Sequence, residues 1–505
     1  MSQNNNKPVV TRIAPSPTGD PHVGTAYMSL FDYIYAKQQG GKFILRIEDT
    51  DQKRYNPESE KRVIDALKWL GLSPDESPEI GGPNAPYRQT ERLELYQKYA
   101  QQLLDSGHAY RAFETPEELE QIREDLQKRG LGQGYDGRAK ALSKEESEQR
   151  AASGEAFVIR LATPGEGETI IKDALRGEVR IPNSEVPDAV LMKSDGIPTY
   201  HLAVVVDDHV MGVTHAVRGE EWLPTAPVHV LLYKAFGWEE PIWIHMPLLK
   251  NADGKKLSKR RDDASLDSYK KQGIVPEALL NYLATMGWSM PDGREFFSLK
   301  DMTKFFSFER ISLGGSVFDM KRLRHYNAHY LRDVLDLETV AERAKPYLKS
   351  AGYDWGDEDY LLDVVDVLLP RIETLAELAE QSDYFFNDDF SYSEDAKRRL
   401  EAGQKHLEAL ERELSRLDFF DYDDVDDAMR EYVKSESVKM GEVMMPLRAA
   451  LTGTTQAPGV TDLAVILGKA KTLERIGRAI SYLEAGLPDD KPQKPKKEED
   501  AGANT

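Results

Sequence analysis

The sequence predicts an α/β domain with a parallel sheet, interrupted by a mixed α/β insertion and followed by all-α C-terminal domains. Two observations carry this. Over the first half, short β-branched and aliphatic runs alternate with helical patterns, and from Arg261 onward the pattern is amphipathic and helical. Length agrees: 505 residues exceed one ordinary domain and suggest roughly three to four.

Val9–Ile13 is a β-branched run ending in a Pro/Gly segment, Ala14–Gly24. A helical pattern over Thr25–Gln39 follows, with Ala26, Leu30 and Tyr33 or Ile34 on one face and Gly40-Gly41 as its stop. Phe43, Leu45 and Ile47 alternate as a second strand that ends in Glu48-Asp49-Thr50-Asp51. Asn56 caps the next helix, with Pro57 at its first position. Strand, loop, helix, strand, helix is the start of a parallel α/β sheet.

From about Tyr87 the texture changes. Thr115–Gln127 reads as helix, Gly130–Gly137 as a Gly-rich loop, and Ala156–Leu161 and Ala189–Lys193 as strands. The α/β character resumes with the runs Thr199–Val206, Val213–Arg218 and Ile242–Leu249 and a helix near Thr225–Phe236. On this reading Asp207-Asp208-His209 is a strand-end hydrogen-bond cluster rather than a metal site. Further on, Leu279, Leu283 and Met286 mark one helix, and Leu400, Leu407, Leu410, Leu414 and Leu417 form an a/d-like stripe. Leu463–Leu483 is another amphipathic stretch. Asp421–Asp427 lacks the glycine and bidentate glutamate of a calcium loop and reads as a solvated helix start. Pro488–Thr505 is charged and without aromatics, the composition of a disordered tail.

The chain has no cysteine, which removes disulfides, cysteine zinc sites and thiol nucleophiles together. Its net charge of −21 lowers the expectation of a nucleic-acid partner, yet a large acidic protein can carry a local basic track. Met1–Lys7 has no signal-peptide core, and no apolar run approaches the roughly 20 residues of a membrane span. The expectation is a soluble cytoplasmic protein with no membrane contact.

Two segments carry the chemistry. Ala14–Gly24 joins the first strand to the first helix, where ligands of open α/β sheets bind and where a helix N-terminus offers free N–H groups to phosphate. His22 can donate to phosphate oxygens, and Gly24 lets a nucleotide approach the backbone. A Pro-rich connector with a capping histidine is the plainer alternative. The second segment, Lys255-Lys256-Leu257-Ser258-Lys259-Arg260-Arg261, holds five cations in seven residues after a predicted strand. Such a loop can stabilise charge on a leaving pyrophosphate, or it can be a solvated basic loop.

Together, His22-Val23-Gly24-Thr25 and Lys256-Leu257-Ser258-Lys259-Arg260 resemble the HIGH and KMSKS signatures of class I aminoacyl-tRNA synthetases. Thr25 stands where the second histidine is usual. Thr11–Gly19, Arg46–Asp51, Pro86–Glu91 and Gly219–Trp222 further resemble glutamyl-tRNA synthetases of the bacterial type, and the similarity runs from about Val9 to about Leu483.

The resemblance implies a Rossmann-like catalytic domain in two halves (1–95 and 192–255) around an acceptor-end-binding insertion (96–191). It further implies a stem-contact region with the KLSKR loop (256–335), two anticodon-binding helical domains (336–390 and 391–486) and a tail (487–505). It implies ATP-dependent attachment of L-glutamate to tRNA(Glu) through a glutamyl-adenylate, with Mg²⁺ accompanying ATP, no zinc, and a monomeric enzyme. Arg12, Ala14, Ser16, Glu48, Tyr200, Val204 and Arg218 would form the glutamate pocket, with arginines on carboxylates and Glu48 on the ammonium. His22, Gly24, Glu221, Leu249 and Lys259 would line the ATP site, with His22, Lys256 and Lys259 catalytic. Val204 replaces an asparagine common among relatives. Without the resemblance, Arg46, Glu48 and Asp49 would read as a surface ion pair. Arg371 and Arg448 match anticodon-reading positions, and an arginine at Arg371 goes with rejecting tRNA(Gln). A non-discriminating enzyme that also charges tRNA(Gln) is the alternative. A glutaminyl enzyme is disfavoured because its tRNA-reading part is a β-barrel, whereas this region reads as helical.

Overall fold

The computed structural model describes residues 7–130, 134–257 and 264–486. The chain divides into two compact units, Met1–Lys270 with Val275–Tyr326, and Lys271–Ile274 with Asn327–Thr505.

In the first unit β1 (Val10–Ile13) leads into α1 (Val23–Gln38), and β2 (Lys42–Leu45) pairs parallel to β1 in the register Arg12 to Ile44. Gly40 takes a left-handed φ of 62° and ends α1 as expected. The alternation expected of the second strand is not observed. Phe43, Ile44 and Leu45 are all buried, because helices cover both faces of a parallel sheet. α2 (Pro57–Trp69) starts at Asn56, whose side chain accepts from the Glu58 N–H at 2.9 Å.

α3 (Leu93–Asp105) and β3 (Ala109–Ala112) open the middle region, followed by α4 (Pro116–Lys128) behind a Thr115 capping box. α5 (Lys144–Ala152), β4 (Val158–Leu161), β5 (Glu168–Asp173), β6 (Gly177–Pro182) and β7 (Val190–Met192) complete it. The strands β3, β4 and β7 form an antiparallel sheet. The predicted Gly130–Gly137 loop lies partly outside the described residues.

α6 (Tyr200–Val210) corrects the reading of Thr199–Val206, which is helix and not strand. Leu202 to Asp208 are buried without interruption, so the segment shows neither period, and β-branched Val204, Val205 and Val206 take helical geometry under tertiary packing. β8 (His215–Gly219), α7 (Ala226–Phe236) and β9 (Ile242–Met246) follow, with β8 and β9 parallel. The Thr214 N–H donates to the Val10 carbonyl at 3.0 Å and lays β8 beside β1. β5 joins β9 at Asp173 opposite Trp243, which gives a four-stranded sheet in the order β6–β5–β9–β8 beside the parallel pair β1–β2, Rossmann-like where β1 lies next to β8. Leu103, Leu161, Leu202, Val205, Val230 and Trp243 belong to one core that ties α3, α6 and α7 to these strands.

α8 (Leu266–Lys271), α9 (Pro276–Gly287), α10 (Leu299–Phe305) and α11 (Met320–His329) carry the chain into the helical part. Leu279, Leu283 and Met286 are buried in α9 as predicted.

The second unit contains α12 (Leu337–Ser350), α13 (Glu358–Leu368), α14 (Leu375–Gln381) and α15 (Asp383–Phe386). α16 (Glu394–Ser415), α17 (Tyr422–Ser435), α18 (Met440–Thr452) and α19 (Val460–Ala485) complete it. Among the described residues β9 is the last strand, so this region is helical as expected. Leu400, Leu407, Leu410 and Leu414 are buried along α16, and Leu417 lies past its end. Asp421 caps α17 by accepting from the Asp424 N–H at 3.0 Å, the helix start that was expected there. Among the described residues no helix is long and apolar enough to cross a membrane.

Candidate active site

The ends of β1, β2 and β8 open onto a cavity of about 640 Å³. Parallel strands deliver their carboxyl ends to one edge, which is where such sheets bind ligands. Of the predicted residues, Arg12, Ala14, His22, Gly24, Glu48, Tyr200, Val204, Arg218, Glu221, Leu249 and Lys256 line it. Ser16 does not; its hydroxyl donates to the Glu48 carbonyl at 2.9 Å and braces the backbone of that residue. Thr25, at the irregular position of the first signature, faces the same space.

His22, Gly24 and the segment before Ser258 are brought to the cavity by two turns. The His22 ring accepts the Gly24 N–H at its Nδ1, 2.9 Å away, and this caps α1. Both readings of this histidine therefore hold geometrically: it caps the helix and it lines the cavity. Leu249 and Leu257 close a hairpin through the Leu257 N–H to Leu249 carbonyl bond at 2.9 Å, turning at Gly254 with φ 74°. That hairpin brings the Lys256 ammonium to 2.8 Å from the Glu221 carboxylate. Ala264, at the far side of the basic segment, accepts from the Val23 N–H at 2.8 Å. Ser258, Lys259, Arg260 and Arg261 lie outside the described residues.

The opposite end of the cavity is built on buried charge. Arg12 grips Asp208 with Nε and Nη2 at 3.2 and 3.1 Å and donates Nη1 to the Val217 carbonyl at 3.0 Å. Arg46 donates to Asp208 at 2.8 Å and to Glu48 at 3.1 Å, with Asp207 at 3.5 Å. Arg46, Glu48 and Asp49 are buried, so the surface ion pair that the isolated motif suggests is not what forms. Asp207 also accepts from Arg92, Gln89 and Tyr96. The Asp207-Asp208 pair is the hydrogen-bond cluster expected, but on a helix, and its oxygens face arginines. His209 instead stacks on Trp238 at 3.7 Å.

Burial pushes the Glu48 carboxyl up to about 7, against the pull of Arg46 and Arg12. Asp208 moves the other way: burial opposes its charge, but Arg12 and Arg46 outweigh burial and hold it below the usual carboxylate range.

Arg218 is arranged differently from the other buried arginines. Its Nε donates to His245 Nε2 at 3.0 Å, and its Nη1 meets His229 Nδ1 at 2.9 Å and the Tyr200 hydroxyl at 3.3 Å. The guanidinium lies 4.9 Å from the Trp243 ring. Its Nη2 is buried and has no hydrogen-bond partner. Tyr200 stacks at 4.6 Å on Trp222, which closes that side. His229, His245 and Trp222 were not among the residues predicted from sequence. The available signal was a lone histidine inside each of two apolar runs, Val228–Leu232 and Ile242–Met246.

In the second unit Arg371 ends a short turn after Pro370, beside an open groove that also contains Tyr384, Lys397 and Thr452. The Arg448 guanidinium is pushed down by burial and by the neighbouring positive charge of Arg371, so the two arginines share one locality.

Comparison with known proteins agrees with this layout. Residues 8–325 match the family of class I tRNA synthetases (E and Q), catalytic domain, and residues 339–480 match an anticodon binding domain. The glutamate–tRNA ligase of Thermus thermophilus is 55% identical over 473 residues, covering 94% of this chain and all of that one. The glutamate–tRNA ligase of Deinococcus radiodurans is 47% identical over 477 residues, covering 94% of this chain and 98% of that one. A crystal structure of a glutamate tRNA ligase from Elizabethkingia meningosepticum, in complex with its amino acid, superposes with a TM-score of 0.86 at 36% identity. It covers 94% of this chain and all of that one.

Proposed function

Because the chain belongs to the glutamate–tRNA ligases of the class I tRNA synthetases, we propose that the cavity joins L-glutamate to ATP and then to the acceptor end of tRNA(Glu). The observation that carries the reading is the convergence of Arg12, Arg218 and Glu48 on one cavity. Two guanidiniums and one carboxylate are the complement of a molecule with two carboxylates and one ammonium.

In the first step a glutamate α-carboxylate oxygen attacks the α-phosphorus of ATP, and the bond to the β-phosphate oxygen breaks, releasing pyrophosphate. In the second, a ribose hydroxyl of the terminal tRNA adenosine attacks the carbonyl of the mixed anhydride, and AMP leaves. The protein supplies position and charge, with no covalent nucleophile. Arg12 and Arg218 bind carboxylates, and Glu48 binds the ammonium. Gly24 and Leu249 flank the nucleotide. His22 and Lys259 contact phosphates, and Lys256 orders the loop through Glu221. Mg²⁺ bound with the triphosphate would neutralise phosphate charge, and the nearby carboxylates Glu48 and Glu221 are each paired with a cation, Arg46 and Lys256.

The finer proposal is that the enzyme acts as a cytoplasmic monomer and rejects tRNA(Gln), with Arg371 and Arg448 reading the anticodon. Their shared locality supports it. Aminoacylation with purified tRNA(Glu) and tRNA(Gln) tests both levels. Charging of tRNA(Glu) alone is expected. Charging of both would replace discrimination by the non-discriminating alternative, and charging of neither would overturn the enzymatic reading.

A further inference from the structure

We propose that His229 and His245 are positioning residues that hold Arg218 as an uncompensated cation, so that a carboxylate of the amino-acid substrate supplies its counterion. The proposal rests on reading this cavity as the glutamate site.

The argument begins with donors and acceptors. A guanidinium carries five N–H donors and no acceptor. The His245 Nε2 that receives the Arg218 Nε–H must therefore present a lone pair, and so must the His229 Nδ1 that receives Nη1. Each imidazole is thus neutral. The opposite nitrogens then carry the protons, so that His245 Nδ1 donates to Asp173 at 2.6 Å and His229 Nε2 to His201 Nδ1 at 3.2 Å. Asp173 spends its oxygens on the His245 ring, the His245 N–H and the N–H groups of Leu175 and Arg176, so it fixes the tautomer of His245 without touching Arg218. Burial favours the same state, pushing both His229 and His245 below their usual range.

The contrast within the same unit is what points to function. Arg12, Arg46 and Arg92 each bond to Asp207 or Asp208. Arg218 is bonded instead to two neutral rings and a phenol, which orient a guanidinium without cancelling its charge. Burial, helped by the positive charge of Arg12, pushes Arg218 down from its ordinary value, and the opposing pull of Tyr200 and the more weakly acting Asp208 does not offset it. Such a cation is costly until an anion reaches it. A carboxylate in the cavity offsets the charge, whereas a neutral amide does not. An acidic residue in place of either histidine would keep the bond and remove the selectivity.

The test uses the full chain charging tRNA(Glu), with glutamate and ATP kinetics measured for His229→Asn and His229→Asp. Asparagine returns a neutral acceptor near the position of Nδ1 and is expected to keep the glutamate KM within about threefold of the parent. Aspartate neutralises Arg218 and is expected to raise the glutamate KM at least about tenfold, with kcat and the ATP KM changed by no more than about twofold. Equal glutamate KM values for the two variants would overturn the proposal. Should His229→Asp fail to fold, His245→Gln against His245→Leu repeats the comparison. A retained KM with glutamine and a raised KM with leucine are expected, and equal values would overturn the idea. Failure of the unsubstituted chain to charge tRNA with glutamate would instead overturn the reading of the cavity.

Discussion

Arg12 and Asp208 are 196 positions apart in the chain and meet through two hydrogen bonds of 3.2 and 3.1 Å beneath the cavity floor. Asp208 also takes Arg46 at 2.8 Å, so one carboxylate aims one cavity-lining guanidinium and braces the residue that holds Glu48. Asp208→Asn should therefore act at two levels. The glutamate KM is expected to rise about tenfold, and unfolding free energy to fall by about 3 kcal/mol, because two buried guanidiniums lose a charged partner. Urea denaturation and aminoacylation kinetics check this, and a KM unchanged in a destabilised protein would confine Asp208 to a structural role.

Glu48 gives the site a pH dependence with a definite sign. Burial raises its carboxyl from the ordinary 4.5 to about 7. Folding favours the protonated form, so this group's contribution to stability is fully present below about 4.5 and is lost as pH rises through about 7. An ammonium needs the ionised form, and binding therefore runs the opposite way. The glutamate KM should fall between about pH 6 and pH 8 and then level off. In Glu48→Gln the profile should be flat and the KM higher throughout. A profile of unchanged shape in that variant would show that another group titrates.

Gly24 is confined by its own cap. A Cβ there would lie 3.0 Å from His22 Nδ1, the atom that accepts the Gly24 N–H. Gly24→Ala is expected to turn the imidazole and cost about tenfold in ATP–pyrophosphate exchange, with little change in glutamate affinity. Equilibrium binding of glutamate beside exchange rates separates the two, and a loss of glutamate affinity alone would contradict the assignment.

The basic segment should behave as part of the phosphate site and not of the amino-acid site. Lys259→Ala is expected to lose about a hundredfold or more in pyrophosphate exchange while glutamate binding is retained. Lys256→Ala, which breaks the 2.8 Å pair with Glu221, should show a smaller loss of the same kind. Normal exchange by Lys259→Ala would remove this loop from the mechanism.

Much of this protein was readable from local pattern. The Asn56 cap, the Gly40 stop, the first strand–loop–helix passage and the helical character after the basic segment each depend on residues within a few positions of one another. Hydrogen-bonding and capping rules act at that range. The two segments read as a joint site were visible for the same reason, and His22, Gly24, Glu221, Leu249 and Lys256 do line one cavity. Only the tertiary structure decided that Thr199–Val206 is a helix. Burial on every side erases the polar face that periodicity needs, and the surrounding core overrides β propensity. It alone brought His229 of α7 and His245 of β9 to Arg218, because a hydrogen bond across 11 or 27 positions is set by how strands and helices pack and not by a short-range pattern.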